Sequence, residues 1–104
     1  MNDVKFEGWL CYVQLAKYGN GRTAIQLMDY DDASPVATAS VNLPDVEMAD
    51  DEVAIKDWSE NEGMLSALMD AEIVAPPVRL ELSGFVVVPI CKFLGTKPEE
   101  NTNV

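Results

Sequence analysis

The chain of 104 residues carries 18 acidic and 7 basic side chains, a formal net charge of −11 at pH 7. Its apolar fraction of 48% is ordinary for a globular protein, so length and composition predict one folded domain and argue against a disordered chain. The negative charge repels nucleic acid and anionic membranes, and it favours a basic protein as the partner.

The sequence contains no histidine, which removes the commonest general base and the commonest transition-metal ligand. The two cysteines, Cys11 and Cys91, lie within apolar runs and are predicted to pack as small core residues rather than to act as nucleophiles. We therefore expect no enzymatic activity, no cofactor and no bound metal. A small enzyme that depends on one of these cysteines is the last-ranked alternative.

The longest apolar run, Phe85–Cys91, is far shorter than the about 20 residues that a membrane-spanning helix needs. The chain also starts without a basic and apolar leader. With two cysteines that are not required as a disulfide framework, the sequence predicts a soluble protein in the cytoplasm.

Alternating apolar residues and turn signals divide the first half of the chain into strands. Two glycines and an asparagine at 18–22 predict a hairpin turn, and Ile25 and Leu27 are expected to face inward. Residues 31–35 are predicted to form a turn and residues 45–52 a carboxylate-rich loop. The predicted strands are Phe6–Lys17, Thr23–Tyr30, Val36–Leu43 and Val53–Ile55.

A helix is predicted over Asp57–Ile73. Ser59 and Glu62 have the spacing of a capping box, in which each side chain accepts a hydrogen bond from the other residue's amide. The apolar residues that follow recur at helical spacing and predict one buried stripe. That stripe consists of Met64, Leu65, Leu68 and Met69.

After the helix, the two prolines at 76 and 77 favour an extended chain, and Val78–Leu82 is predicted to be a strand. The run Phe85–Val88 is typical of a strand covered on both faces, whereas Pro89 indicates an edge or a bulge; both readings stay open. The predicted fold is α+β, an antiparallel sheet of five or six strands with one helix packed on one face. Residues 1–95 form this single domain, and residues 96–104 form a flexible polar tail.

The acidic residues are unevenly distributed along the chain. Residues 29–72 contain thirteen acidic side chains and one basic one, a net charge of −12, whereas the rest contains five and six, a net charge of +1. The candidate partner-binding residues are Asp29, Asp31, Asp32, Asp45, Glu47, Asp50, Asp51, Glu52, Asp57, Glu60 and Glu62.

Two interpretations of this acidic region compete. In the first, the carboxylates only solvate the surface, and Glu60 and Glu62 only complement the helix dipole. In the second, the carboxylates mimic the phosphates of DNA, which carries one negative charge per about 1.7 Å of its axis. Clustered like charges destabilise a compact fold, and this cost favours the second interpretation for residues 45–52. A DNA mimic predicts binding that weakens with salt.

Three segments carry a resemblance to a known family: Asn42–Pro44, Glu52–Leu65 with its Ser-Glu-Asn-Glu-Gly run, and Val88–Lys92. Together with the strand that starts at Gly21, they resemble small proteins of bacterial mobile elements and phages that share domain of unknown function 4313. The acidic build also resembles anti-CRISPR proteins that mimic DNA, among them inhibitors of the type I-C system. The resemblance implies a mobile-element origin, and it assigns no role to individual residues.

The resemblance implies an anti-CRISPR inhibitor that blocks target DNA binding by a type I (I-C) surveillance complex, with a basic DNA-binding protein or Cas subunit as its partner. The main alternative is a structural adaptor or oligomerisation module of a mobile element. In that case the apolar strand Phe85–Phe93 is expected to form an exposed sheet edge for pairing. Its self-association would depend on concentration and little on salt.

Overall fold

The computed structural model describes residues 1–95, which fold into two four-stranded antiparallel sheets and one α-helix. The strands are β1 Val4–Phe6, β2 Trp9–Lys17, β3 Thr23–Asp29, β4 Pro35–Thr38, β5 Ser40–Val41, β6 Glu52–Ile55, β7 Val74–Ser83 and β8 Val86–Phe93, and the helix α1 is Met64–Asp70. The predicted α+β class with one helix is confirmed, but the single sheet of five or six strands is wrong. The predicted tail, residues 96–104, lies outside the described residues.

The first sheet has the strand order β1-β2-β3-β4. The predicted hairpin between β2 and β3 is confirmed: the Gly21 amide donates to the Tyr18 carbonyl, and the Tyr18 amide donates to the Arg22 carbonyl, both at 2.8 Å. Ile25 and Leu27 on β3 are fully buried, as predicted.

The strand predicted at Phe6–Lys17 is two strands, because a two-residue turn interrupts it. Glu7 and Gly8 have φ angles of 50° and 85°, and Phe6 pairs with Trp9 across them. Positive φ at both positions is the geometry of a type I′ hairpin turn. Trp9 stands at the first position of β2 and is half exposed.

The strand predicted at Val36–Leu43 crosses from one sheet to the other. Its first part, β4, pairs with β3, and its second part, β5, pairs with β6. Ala39 lies between them and is fully buried. Its amide donates to the Ile25 carbonyl and its carbonyl accepts from the Lys56 amide, both at 2.8 Å. One buried residue thus joins the hydrogen-bonding patterns of the two sheets, and this crossing produces two sheets instead of one.

The second sheet has the order β5-β6-β8-β7. β8 is therefore an interior strand, so the prediction of an exposed edge at Phe85–Phe93 is wrong, and within residues 1–95 the edge strands of this sheet are β5 and β7. Pro89 pairs with Leu80 of β7, while the register between β8 and β6 begins only at Ile90. Pro89 consequently needs no amide for a second neighbour, which reconciles its position with an interior strand. Phe85 lies outside the strand and is fully exposed, so the covered strand predicted at Phe85–Val88 is also wrong there.

The helix is shorter than predicted, and its start differs from a capping box. Ser59 begins a 3₁₀ turn with φ 55°, and the Glu62 amide donates to the Ser59 main-chain carbonyl. The residue before α1 is Gly63, with φ 94°. A carboxylate oxygen of Asp57 accepts from the Leu65 amide at 2.9 Å, so Asp57 supplies the cap. No helix within residues 1–95 is long and apolar enough to span a membrane.

The main core contains side chains from both sheets and the helix, including Met64 and Leu68 of the predicted stripe. A smaller cluster lies on the other face of the second sheet and is built on Ala54, Val88 and Ile90. Partly buried apolar residues of the 45–52 loop pack against this cluster. The carboxylate-rich loop is therefore attached to the sheet by its apolar side chains.

Candidate partner-binding surface

Sheet geometry separates the predicted site residues into two groups. The β1–β2 and β3–β4 turns lie at one end of the first sheet, and the β2–β3 hairpin lies at the other end. The six residue steps of β3 between Thr23 and Asp29 place about 20 Å between these ends. We call the part around the two turns the turn half and the part around the 45–52 loop the loop half.

In the turn half, Asp29 builds the β3–β4 turn. Asp29 is only 8% exposed, and its carboxylate accepts from the Asp31 amide at 2.9 Å. The Asp32 carboxylate accepts from the Ser34 amide at 3.0 Å and from the Ser34 hydroxyl at 2.7 Å. These bonds from Ser34 lower the pKa of the Asp32 carboxyl, so the negative form is favoured. Asp31 is exposed, and its carboxylate has no hydrogen-bond or ion-pair partner among residues 1–95.

The N-terminal segment joins the same half of the molecule. The Tyr30 hydroxyl donates to the Asp3 carboxylate at 2.6 Å, and this hydrogen bond raises the pKa of Tyr30. Asp3 also lines a shallow cleft with Asp70 from the end of the helix. Two carboxylates far apart in the sequence are thereby brought to one surface.

The segment before the helix also lies in the turn half. Glu60 lines a cleft with Glu7 of the β1–β2 turn. Lys56 donates to the Glu60 carboxylate at 2.6 Å, which lowers the pKa of Glu60. Glu62 is exposed, and neither its carboxylate nor that of Glu7 has a partner within the described chain.

Two arginines hold the 45–52 loop in the loop half. Arg22 donates through its two terminal nitrogens to the carbonyls of Leu43 and Val46, each at 2.5 Å, so its charge is directed at the main chain. Arg79 donates to the Glu47 carbonyl at 2.6 Å and to the Glu52 carboxylate at 3.0 Å. The loop is therefore fixed by its backbone.

Glu52 is the best-anchored carboxylate of the loop half. It accepts from the Ala49 amide at 3.0 Å as well as from Arg79. These bonds, the one from Ala49 first, lower the pKa of Glu52. Asp51 lies 3.6 Å from the Lys92 amine. Asp45 and Glu47 are exposed, and their carboxylates have no partner among residues 1–95.

The two halves differ in net charge. The turn half holds eight acidic and two basic side chains, a formal charge of −6: Asp3, Glu7, Asp29, Asp31, Asp32, Glu60, Glu62, Asp70, Lys5 and Lys56. The loop half holds six acidic and four basic ones, a formal charge of −2: Asp45, Glu47, Asp50, Asp51, Glu52, Glu81, Lys17, Arg22, Arg79 and Lys92. The loop that dominates the sequence pattern thus belongs to the less charged half.

Of the eleven predicted site residues, five lie in the turn half and five in the loop half, while Asp57 caps the helix. The structure also adds Asp3, Glu7 and Asp70 to the turn half. Asp3 and Glu7 precede the acidic region of the sequence, so charge clustering gave no signal for them. The strand pairing that brings Asp3 and Glu7 to this surface could not be read from the sequence.

No group of three metal-ligating side chains occurs within residues 1–95. Cys11 and Cys91 are both buried, and burial raises both thiol pKa values, that of Cys91 to about 11. Both thiols are therefore disfavoured as nucleophiles.

A scan of protein-family models, a search of curated proteins and a search of solved structures each find no match to this chain. The resemblance to the mobile-element family stays a prediction.

Proposed function

We propose that this protein inhibits a DNA-binding complex by presenting its acidic surface to the groove that holds DNA. The observation that supports the proposal is the formal charge of −6 in the turn half. The sequence resemblance directs the proposal to a type I CRISPR surveillance complex, of the I-C class, in the cytoplasm of the host cell. The partner is then a basic Cas subunit, and the protein acts by occupying a site, without turnover.

Hydrogen bonds within the turns favour such binding. The bonds from Ser34 to Asp32 and from the Asp31 amide to Asp29 fix the β3–β4 turn before any partner arrives. A preorganised surface loses less conformational entropy on binding than a flexible acidic segment does. A protein groove that binds DNA favours negative charges that are held in fixed positions, as phosphates are.

The distance between the halves is compatible with a DNA-sized site. About 20 Å of strand separates the two turns from the loop, and one turn of B-DNA is about 34 Å long. One groove can therefore contact both halves. We expect the turn half to contribute more, because fewer basic side chains neutralise it.

The test compares two matched variants in a DNA-displacement assay with a purified type I-C surveillance complex. The first variant, Glu7→Gln with Asp31→Asn, removes two exposed charges from the turn half. The second, Asp45→Asn with Glu47→Gln, removes two from the loop half. All four carboxylates lack a partner within residues 1–95, so both variants should keep the wild-type melting temperature.

We expect the first variant to require about three- to tenfold more protein for half-maximal displacement of DNA. The second should change this concentration by about twofold or less, because basic residues already offset its surroundings. An unchanged displacement curve for the first variant would reject the turn half as the binding surface. Absence of displacement by the wild type would reject DNA mimicry for this complex.

A further inference from the structure

The hairpin formed by β7 and β8 carries a row of exposed apolar side chains. Their exposed fractions run from 50% for Val87 to 108% for Phe85. The row consists of Val78, Leu80, Leu82, Phe85 and Val87. At roughly 100 Å² for each side chain, it presents on the order of 500 Å² of apolar surface, which is large for one patch on a monomer.

This row lies on one face of the hairpin, beyond the main core. Leu80 pairs with Pro89, and Leu82 pairs with Val87, so these side chains share a face. Cys91 lies farther along β8 on the same face as Val87 and Pro89, and it is fully buried in the main core. The hairpin therefore extends past the first sheet and the helix, and its apolar face continues into solvent.

The free edge of β7 lies next to this face. Pro89 has no amide hydrogen, as expected for a pair with Leu80 that exchanges no hydrogen bonds. In such a pair both residues direct their N–H and C=O groups away from each other. Leu80, and by alternation Leu82, therefore offer their main-chain groups to a new strand. The prolines at 76 and 77 lack donors and confine regular pairing to the second half of the strand.

The sequence of this edge is complementary to itself. Val78-Arg79-Leu80-Glu81-Leu82 reads apolar, positive, apolar, negative, apolar. An antiparallel copy centred on Leu80 would place Arg79 opposite the partner's Glu81, beside the ion pair of 2.9 Å that Arg79 forms with Glu81 of its own chain, and Val78 opposite the partner's Leu82. Opposite charges and apolar pairs directly across two strands both stabilise a sheet.

Charge favours the same place of contact. Residues 1–72 carry a formal charge of −11, whereas residues 73–95 carry +1 from Arg79, Lys92 and Glu81. Two copies of this protein repel each other over most of their surface, and the β7–β8 hairpin is where that repulsion is smallest.

We propose that β7 pairs antiparallel with β7 of a second copy, with a two-fold axis at Leu80, to form a dimer with one continuous eight-stranded sheet. The apolar rows of the two copies then meet on one face. Side chains of the two β7 strands contact each other along this face while the strand edges exchange main-chain hydrogen bonds, so the interface is smaller than the roughly 800 Å² per partner of a standard interface. We expect a dissociation constant on the order of 10 µM.

The first test measures mass in solution by sedimentation equilibrium over a concentration series. The wild type should dimerise, and Leu80→Lys should remain monomeric because two like charges then face each other across the axis. Leu10→Lys is the matched control, since Leu10 is 45% exposed on the first sheet, and it should dimerise like the wild type. A wild type that is monomeric up to 1 mM, or a Leu80→Lys variant that still dimerises, would overturn the proposal.

The second test fixes the register by cross-linking under mild oxidation. Residues that exchange both hydrogen bonds across antiparallel strands have Cα atoms about 5.5 Å apart, which suits a disulfide. Leu80→Cys should therefore form a covalent dimer. Leu82→Cys should not, because position 82 faces the partner's Val78. The native cysteines are buried and serve as the internal background. Equal cross-linking at both positions would overturn the axis at Leu80.

Discussion

Arg22 should stabilise the fold by holding the 45–52 loop against the second sheet. Its guanidinium donates to the carbonyls of Leu43 and Val46, and it also contacts the Met48 sulfur at 3.5 Å. A hydrogen bond from a charged donor contributes about 1.5–3 kcal/mol. Arg22 lines an open cleft, where water can replace the guanidinium at the carbonyls. We therefore take the about 1 kcal/mol of an ordinary hydrogen bond for each of the two bonds and expect Arg22→Ala to lose about 2 kcal/mol.

Urea unfolding followed by circular dichroism measures this loss, which corresponds to a fall of about 10 °C in melting temperature for a domain of this size. Arg22→Lys keeps the charge but loses the forked geometry, so it should lose about half as much. Lys5→Ala is the control for charge alone, because Lys5 is exposed without a partner among the described residues, and it should stay within about 0.5 kcal/mol. An Arg22→Ala protein as stable as Lys5→Ala would refute the anchoring role.

Three further predictions concern the helix cap, acid stability and the thiols. Asp57→Ala should lose about 1 kcal/mol in urea unfolding because it removes the helix cap, and an Asp57→Asn protein that loses more than the alanine variant would contradict this. The lowered pKa of Glu52, caused first by the Ala49 amide, contributes stability above the ordinary Glu value near 4.3 that disappears as the pH falls through the folded pKa. The free energy of unfolding of Glu52→Gln should therefore fall less steeply than that of the wild type as the pH is lowered through this range. An unchanged pH dependence would argue against this contribution of Glu52. Cys91, with its pKa raised to about 11, and Cys11 should react with a thiol reagent at pH 8 at least about 100-fold more slowly in the native protein than in urea; equal rates would contradict their burial.

Local turn chemistry made part of the fold predictable. The β2–β3 hairpin follows from Gly19, Asn20 and Gly21, because these residues tolerate the positive φ angles that a tight turn requires. Gly21 does adopt φ 87°. The turn at Glu7 was missed because a glutamate before a glycine is not a typical hairpin signal, although the φ angles are those of a type I′ turn.

The division into two sheets was not readable from the pattern. Alternation continues across Ala39, and nothing in the residue types shows that the strand changes its partner there. The same limit applies to the candidate surface. Asp31 and Asp45 are near each other in the sequence, but the length of β3 separates the halves to which they belong. Conversely, Asp3 and Asp70 are far apart in the sequence and line one cleft.

The most direct test of the proposed function is binding of the labelled wild-type protein to the surveillance complex, with and without saturating target DNA. It should be measured at about 50 mM and about 200 mM salt. A DNA mimic should be excluded by bound DNA, and its affinity should fall at least about tenfold at the higher salt, because screening weakens contacts between exposed charges. Simultaneous binding of protein and DNA, or an affinity that does not change with salt, would contradict the account.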